Sequence, residues 1–130
     1  MSKVLRLAIS PCPNDTFMFD AMINHRIDTE GLQFEVDYLD IEQLNSAALE
    51  SKYDVSKCST ALLPAIYVNY RLLDSGSALG RGNGPLLVRR RGFDGAMRDI
   101  VVPGLHTTAT LLPERLLPDI QTRTPRLPPE

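Results

Sequence analysis

The sequence predicts a mixed α/β domain with a largely parallel sheet. Strand-like and helix-like segments alternate along the chain in the order β-α-β-α-β-α, and no internal repeat interrupts that order. The first strand is predicted at residues 5–9, a continuous apolar run of the kind found in buried strands. A chain of 130 residues is long enough for one domain with a real core.

The most informative segment is the octet SPCPNDTF at residues 10–17, directly after the first strand. Its two prolines end the strand because each lacks an N–H donor and has a fixed φ angle. Asn14, Asp15 and Thr16 are typical N-cap residues, and an apolar helix pattern follows them. The helix N–H groups would then point over a strand end, where open α/β sheets bind small anionic ligands. An ordinary strand-to-helix connection with a good cap would have the same spacing.

The next elements follow from periodicity and capping. Residues 32–39 alternate apolar and polar side chains, which predicts a half-exposed strand. Asp40 and Gln43 have the spacing of a capping box at the start of a second helix. Further along, the pattern predicts a short strand within residues 54–59, a helix over about 60–70, a strand at 86–88 and a strand at 100–102.

Composition and charge exclude several classes of function. The formal net charge is only −2, and the aromatic residues do not alternate with Lys or Arg, so no nucleic-acid partner is expected. No run approaches the roughly 20 apolar residues of a membrane span, and charges interrupt the N-terminus before a signal-peptide core develops. Cys12 and Cys58 form no CxxC pair, and neither His25 nor His106 lies in an HExxH context, so no metal site is expected. These features predict a cytoplasmic protein that binds neither nucleic acid nor a membrane.

A glycine-rich loop at residues 80–84 has the pattern GxGxG. A dinucleotide-binding loop requires GxGxxG followed by a helix, whereas Pro85 and a predicted strand follow here. The absence of a GK[ST] sequence excludes a P-loop. Two interpretations remain open, a mobile segment between strands and a hinge or lid edge at which the backbone approaches a ligand.

Polar side chains also follow two later predicted strands. Residues 57–60, KCST, combine a cation, hydroxyl groups and a helix start, a combination that suits a carboxylate. Residues 106–108, HTT, follow the strand at 100–102 in the same strand–turn–helix arrangement as the octet. Three such segments at the ends of three strands would line one cleft.

Three segments together resemble one known family. They are SPCPNDTF at residues 10–17, SGSALGRGNGPLLV at 75–88 and VPGLHTTA at 102–109. They resemble the 1,4-dihydroxy-6-naphthoate synthases of the futalosine route to menaquinone, and the resemblance extends over residues 4–110. The octet and the glycine loop separate this chain from the sister chorismate dehydratases, which share the fold but not these motifs.

The resemblance implies a fold like that of the type II periplasmic binding proteins, in which two α/β lobes flank a cleft. Residues 1–95 would form the first lobe, and residues 96–112 would begin the second. Residues 113–130 form a Pro- and Arg-rich tail that is expected to be disordered, because such a composition buries little apolar surface.

The resemblance also implies an activity, the cofactor-independent carbon–carbon lyase reaction that converts cyclic dehypoxanthinylfutalosine to 1,4-dihydroxy-6-naphthoate. Such a reaction needs a base and a pocket that fixes the aromatic carboxylate of a small-molecule substrate. No metal is implied. Carried over by position, the substrate-binding residues are Lys57, Cys58, Ser59, Thr107 and Thr108, with Ser10, Asn14 and Asp15 shaping the floor of the cleft.

The chain also departs from the family pattern. Family members are longer, and their catalytic histidine would lie downstream of these residues, so no catalytic residue is assigned here and His106 is not taken as the base. A truncated or frame-shifted family member of marginal stability is therefore expected, with apolar surface exposed where the missing parts would dock. A carboxylate-binding module and an inactive fragment remain as alternatives. The sequence leaves the oligomeric state open.

Overall fold

The computed structural model describes residues 3–117 and 119–124. Within these residues, five strands and four helices follow one another, with a 3₁₀ turn at Thr60–Leu62 before the third helix. In chain order they are β1 (Lys3–Ile9), α1 (Pro13–Ile23), β2 (Leu32–Tyr38), α2 (Ile41–Leu49), β3 (Val55–Ser56), α3 (Leu63–Ile66), β4 (Asp99–Val101), α4 (Thr108–Leu116) and β5 (Gln121–Arg123).

Three parallel strands form the main sheet, in the order β2-β1-β3. β1 pairs with β2 from Lys3–Leu32 to Ile9–Tyr38, and with β3 at Leu7–Val55 and Ala8–Ser56. The chain leaves β1 towards one neighbour and returns, through α2, to the other. This order confirms the predicted α/β class with parallel strands, and it creates a topological switch point between the carboxyl ends of β1 and β3.

The core lies on both faces of β1. Leu7 and Ile9 are fully buried on one face, and Ala8 packs on the other against Leu44 of α2 and Tyr53. A second cluster joins residues of α2, the 3₁₀ turn and α3, namely Ala48, Leu62 and Ile66. Strand β2 forms as predicted, but it is more exposed than the alternation indicates, since only Phe34 and Val36 are half-buried and the other residues of this edge strand are exposed.

The capping box at the start of α2 is confirmed. An Asp40 side-chain oxygen accepts from the Gln43 backbone N–H at 2.8 Å, and the Gln43 side chain accepts from the Asp40 N–H at 3.0 Å. Two orphan donors of the first helical turn are thereby satisfied. The box places α2 so that its apolar face covers β1.

Helix α1 begins differently from the prediction. Cys12 is the N-cap and makes no side-chain capping hydrogen bond, while Pro13 occupies the first helical position. Proline suits this position because its fixed φ is helical and its missing N–H would be unpaired there in any case. Asp15 is therefore not the N-cap, and its carboxylate bonds to the Ser10 backbone N–H instead.

Two predicted elements are shorter or missing. The helix expected over 60–70 is a 3₁₀ turn followed by α3, which ends at Ile66, and Pro64 lies in its first turn as expected. Residues 71–98, all described, contain neither helix nor strand, so the predicted strand at 86–88 does not form. The physical reason is that a strand needs a partner, and these residues are exposed instead of paired.

The C-terminal segment is partly regular. β4 forms almost as predicted and pairs in parallel with β5, while α4 continues through Pro113 to Leu116. The structure thus differs from the expected disorder over residues 113–116 and 121–123, because the Leu117 N–H bonds to the Pro113 carbonyl and β4 offers β5 a partner. Residues 118 and 125–130 of the expected tail lie outside the described residues. The division at residues 95 and 112 stays a prediction.

In the part of the chain that the structure describes, no helix is both long and apolar enough to pass through a bilayer.

Candidate functional site

The carboxyl ends of β1 and β3 bring two of the predicted polar segments together. Ser10 follows β1 directly, and Lys57 follows β3, where its backbone N–H donates to the Ala8 carbonyl at 2.9 Å. Both segments leave the sheet at the switch point, the position at which open parallel sheets bind ligands.

A buried carboxylate joins these two segments. Asp15, in the first turn of α1, is fully buried, and its carboxylate accepts from the Ser10 backbone N–H at 3.0 Å. Its other oxygen is paired with the ammonium of Lys57, 42 residues away in sequence. The helix N-terminus also favours a negative charge at this place. Three residues that the sequence singled out, Ser10, Asp15 and Lys57, therefore meet in one cluster.

Ser59 is held by a residue that sequence analysis missed. The buried Asn45 of α2 donates from its side-chain amide to Ser59 Oγ at 3.0 Å, and its carbonyl oxygen accepts from the Ser59 N–H at 2.9 Å. The available signal was an asparagine among the apolar positions of α2, where the residue would cost stability without partners. Asn45 fixes the turn that carries the predicted substrate-binding residues.

The two cysteines have opposite environments. Hydrogen bonding from the Ser10 side chain and the Asp15 backbone lowers the pKa of the Cys12 thiol, which lies at the N-terminus of α1. Burial raises the pKa of the Cys58 thiol, which packs beside the Ala48–Leu62–Ile66 cluster. Cys58 therefore contributes apolar packing beneath the turn, whereas Cys12 lies within the polar cluster. Asn14, the remaining predicted floor residue, is exposed on the first turn of α1.

A network of threonines organises the start of α4. Thr107 Oγ1 donates to the Gly104 carbonyl at 3.0 Å and lies 3.0 Å from Thr110 Oγ1, which also bonds to that carbonyl. Thr107 and Thr110 are both buried, so the network fixes the turn from within. Thr108 is exposed at the first position of the helix.

The threonine segment contacts the segment that follows β3. Thr108 Oγ1 accepts from the Ala61 N–H at 3.4 Å, at the 3₁₀ turn two residues after Ser59. His106 is joined to Glu42 of α2 at 2.9 Å between Nδ1 and Oε1. The HTT segment therefore contacts the 3₁₀ turn at the end of the KCST segment. A surface cavity of about 400 Å³ between residues 96–99 and Asp119 carries none of them.

Comparison with known proteins decides the family. A family model described as "Menaquinone biosynthesis" matches residues 5–128, nearly the whole chain. The chain belongs to this menaquinone-biosynthesis family. Its fold is also similar to a solved structure, the protein AF1704 from Archaeoglobus fulgidus, with a TM-score of 0.84 and 34% identity over 92% of this chain and 45% of that one.

Two curated relatives of the family are named 1,4-dihydroxy-6-naphthoate synthase. The one from Thermus thermophilus is 42% identical over 113 residues, which cover 85% of this chain and 40% of the relative. The one from Streptomyces coelicolor is 43% identical over 112 residues, which cover 85% and 39%. The chain thus spans about two fifths of the length of the curated relatives it matches.

Proposed function

We propose that this chain is an incomplete form of a carbon–carbon lyase that converts cyclic dehypoxanthinylfutalosine to 1,4-dihydroxy-6-naphthoate in menaquinone biosynthesis. The observation that carries the proposal is the identity of about 42% to two such synthases over 85% of the chain. The proposal includes a cytoplasmic location. It also includes a two-lobed fold of the type II periplasmic-binding-protein kind, in which the described sheet belongs to the first lobe.

Lys57 is proposed to hold the aromatic carboxylate of the substrate. An ammonium has three donors, and Asp15 takes one of them. The Lys57 side chain keeps 28% of its surface exposed at the switch point, whereas that of Asp15 has none. The pair therefore presents a cation to the cleft while the buried carboxylate fixes its position.

The second half of the proposed site is the start of α4. Its free N–H groups and the exposed Thr108 hydroxyl would donate to substrate oxygens, and the buried Thr107 fixes the turn. The proton-removing base is proposed to belong to the part of the relatives beyond the matched length, as the resemblance implies. No metal or cofactor is part of the proposal.

The test combines binding with turnover. We expect the chain to bind 1,4-dihydroxy-6-naphthoate, followed by its fluorescence, and Lys57→Met to weaken the affinity at least about tenfold by removing a charge-assisted contact. Lys52→Met is the matched control, because Lys52 is exposed and follows α2 instead of a strand end. The Thermus thermophilus synthase serves as the positive control for turnover of cyclic dehypoxanthinylfutalosine.

Turnover and a failure to bind each decide between the interpretations. Turnover by this chain would show that a base lies within its residues. Binding that depends on Lys57 without turnover is the expected result for the substrate-binding part of the synthase, and it is also what a carboxylate-binding module would give. Failure of the chain to bind the naphthoate would overturn the proposed site and favour an inactive fragment.

A further inference from the structure

Glu42 makes contacts that the proposed substrate site does not account for. It lies in the first turn of α2, two residues after the Asp40 N-cap, where the helix N-terminus stabilises a carboxylate. Its Oε1 is 2.9 Å from His106 Nδ1, and its Oε2 accepts from the His106 backbone N–H at 3.4 Å. Because an ionised carboxylate only accepts hydrogen bonds, the contact requires a proton on Nδ1 of His106.

The loop approaches this carboxylate closely at Gly104. A Cβ atom built at Gly104 would lie 2.1 Å from Glu42 Oε2 and 2.8 Å from its Cδ, so any other residue would displace the carboxylate. Glycine is therefore needed at position 104 for the backbone to approach the Glu42 carboxylate. Both ends of the segment 104–106 thus contact Glu42.

Residues 104–106, which contact Glu42, also orient Thr107 and Thr110. The Gly104 carbonyl accepts from the hydroxyls of both Thr107 and Thr110, and the Thr107 carbonyl accepts from the backbone N–H groups of Thr110 and Leu111. A single carboxylate on α2 is thus connected, through Gly104 and His106, to the start of α4, although Glu42 and His106 are 64 residues apart in the chain.

We propose that Glu42 is a positioning residue that locks the 104–108 segment onto α2, so that Thr108 stays in contact with the 3₁₀ turn that follows Lys57 and Ser59. Glu42 itself does not touch the substrate. Only the statement that this alignment serves substrate binding rests on the proposed function.

Hydrogen exchange of the unliganded chain tests the locking. We expect Glu42→Ala to speed exchange of the Thr110 and Leu111 amides at least about tenfold, because the turn that holds them loses its anchor, with β1 amides unchanged. Gly104→Ala should have the same effect without altering Glu42. Glu42→Gln keeps an acceptor oxygen and should recover most of the protection, while Glu50→Ala, at the exposed end of the same helix, should change nothing.

Unchanged exchange at Thr110 and Leu111 in Glu42→Ala would overturn the proposal, and so would an increase of equal size in β1, since that would mark a general loss of the fold.

Affinity for 1,4-dihydroxy-6-naphthoate provides the second readout. We expect Glu42→Ala to bind at least about tenfold more weakly and Glu42→Gln to recover most of the affinity, because an acceptor suffices to hold the segment. Full affinity in Glu42→Ala with raised exchange would overturn the link between the segment and the site. If the unaltered chain binds no naphthoate, the proposed function fails, while the exchange result still decides whether Glu42 locks the segment.

Discussion

At the scale of single residues, the site contains buried polar groups that each have a polar partner. Asp15 is paired with Lys57, and Asn45 exchanges two hydrogen bonds with Ser59. A buried polar group without a partner costs free energy, so each member of a pair depends on the other. These pairs orient the residues that we propose to bind substrate, and they also contribute to stability.

The first prediction concerns Asp15. Asp15→Asn removes the negative charge beside Lys57 while keeping the size of the side chain, and we expect a loss of about 2 kcal/mol in the free energy of unfolding, measured in urea. Asp20→Asn is the control in the same helix, since its ion pair with Arg26 at 2.8 Å is largely exposed and should contribute less than about 1 kcal/mol. Equal losses in the two variants would contradict the assigned role of Asp15.

At the scale of elements, α2 is the connecting helix of the molecule. Its apolar face packs on β1, Asn45 holds the turn after β3, and Glu42 holds the segment before α4. One helix of nine residues therefore determines the relative positions of three segments of the candidate site. Helices this short are not stable alone, so α2 depends on its cap and its packing.

The second prediction concerns that cap. Asp40→Ala removes the acceptor for the Gln43 N–H, and we expect it to cost about 1 kcal/mol in the free energy of unfolding. Asp40→Asn is the conservative control, because asparagine caps helices about as well, and it should stay within a few tenths of a kcal/mol of the unaltered chain. A thermal or urea unfolding curve checks both. An equal loss with asparagine would show that charge, not capping, stabilises this position.

At the scale of the whole molecule, a long segment of the chain is exposed. Residues 71–98 include several large apolar side chains with high exposure, among them Leu79 at 81% and Leu86 at 85%. Large exposed apolar surface is uncommon in a stable monomer. The chain also covers about two fifths of the length of its curated relatives. The exposed apolar surface agrees with the expectation of marginal stability, which stays a prediction.

The third prediction follows from this exposure. Leu86→Ser should change the free energy of unfolding by less than about 0.5 kcal/mol, because replacing an exposed side chain removes few packing contacts. Leu44→Ala, at a fully buried position of α2, should cost about 2–5 kcal/mol. Urea unfolding of both variants provides the comparison. A loss above about 1 kcal/mol for Leu86→Ser would show that residue 86 is packed in solution.

Sequence reasoning reached most of the first half of the fold. β1, β2 and α2 were predicted from apolar periodicity and the Asp40–Gln43 spacing, which are properties of neighbouring residues. It failed at 86–88, where the apolar run pairs with no strand among the described residues, and it missed the helix through Pro113 and the strand at 121–123, for which β4 is a partner. Strand formation depends on residues that are distant in sequence, so local patterns cannot decide it.

In the candidate site, too, local patterns identified the residues but not the contacts between them. The octet, the KCST segment and the HTT segment were recognisable because caps, prolines and strand ends are local features. The contacts that assemble them join residues far apart in the chain, as in the Asp15–Lys57 pair and the Glu42–His106 pair, which are separated by 42 and 64 residues. Local propensity therefore specified the fold class and the candidate residues, whereas the order β2-β1-β3 and the packing of α2 determined which of those residues meet.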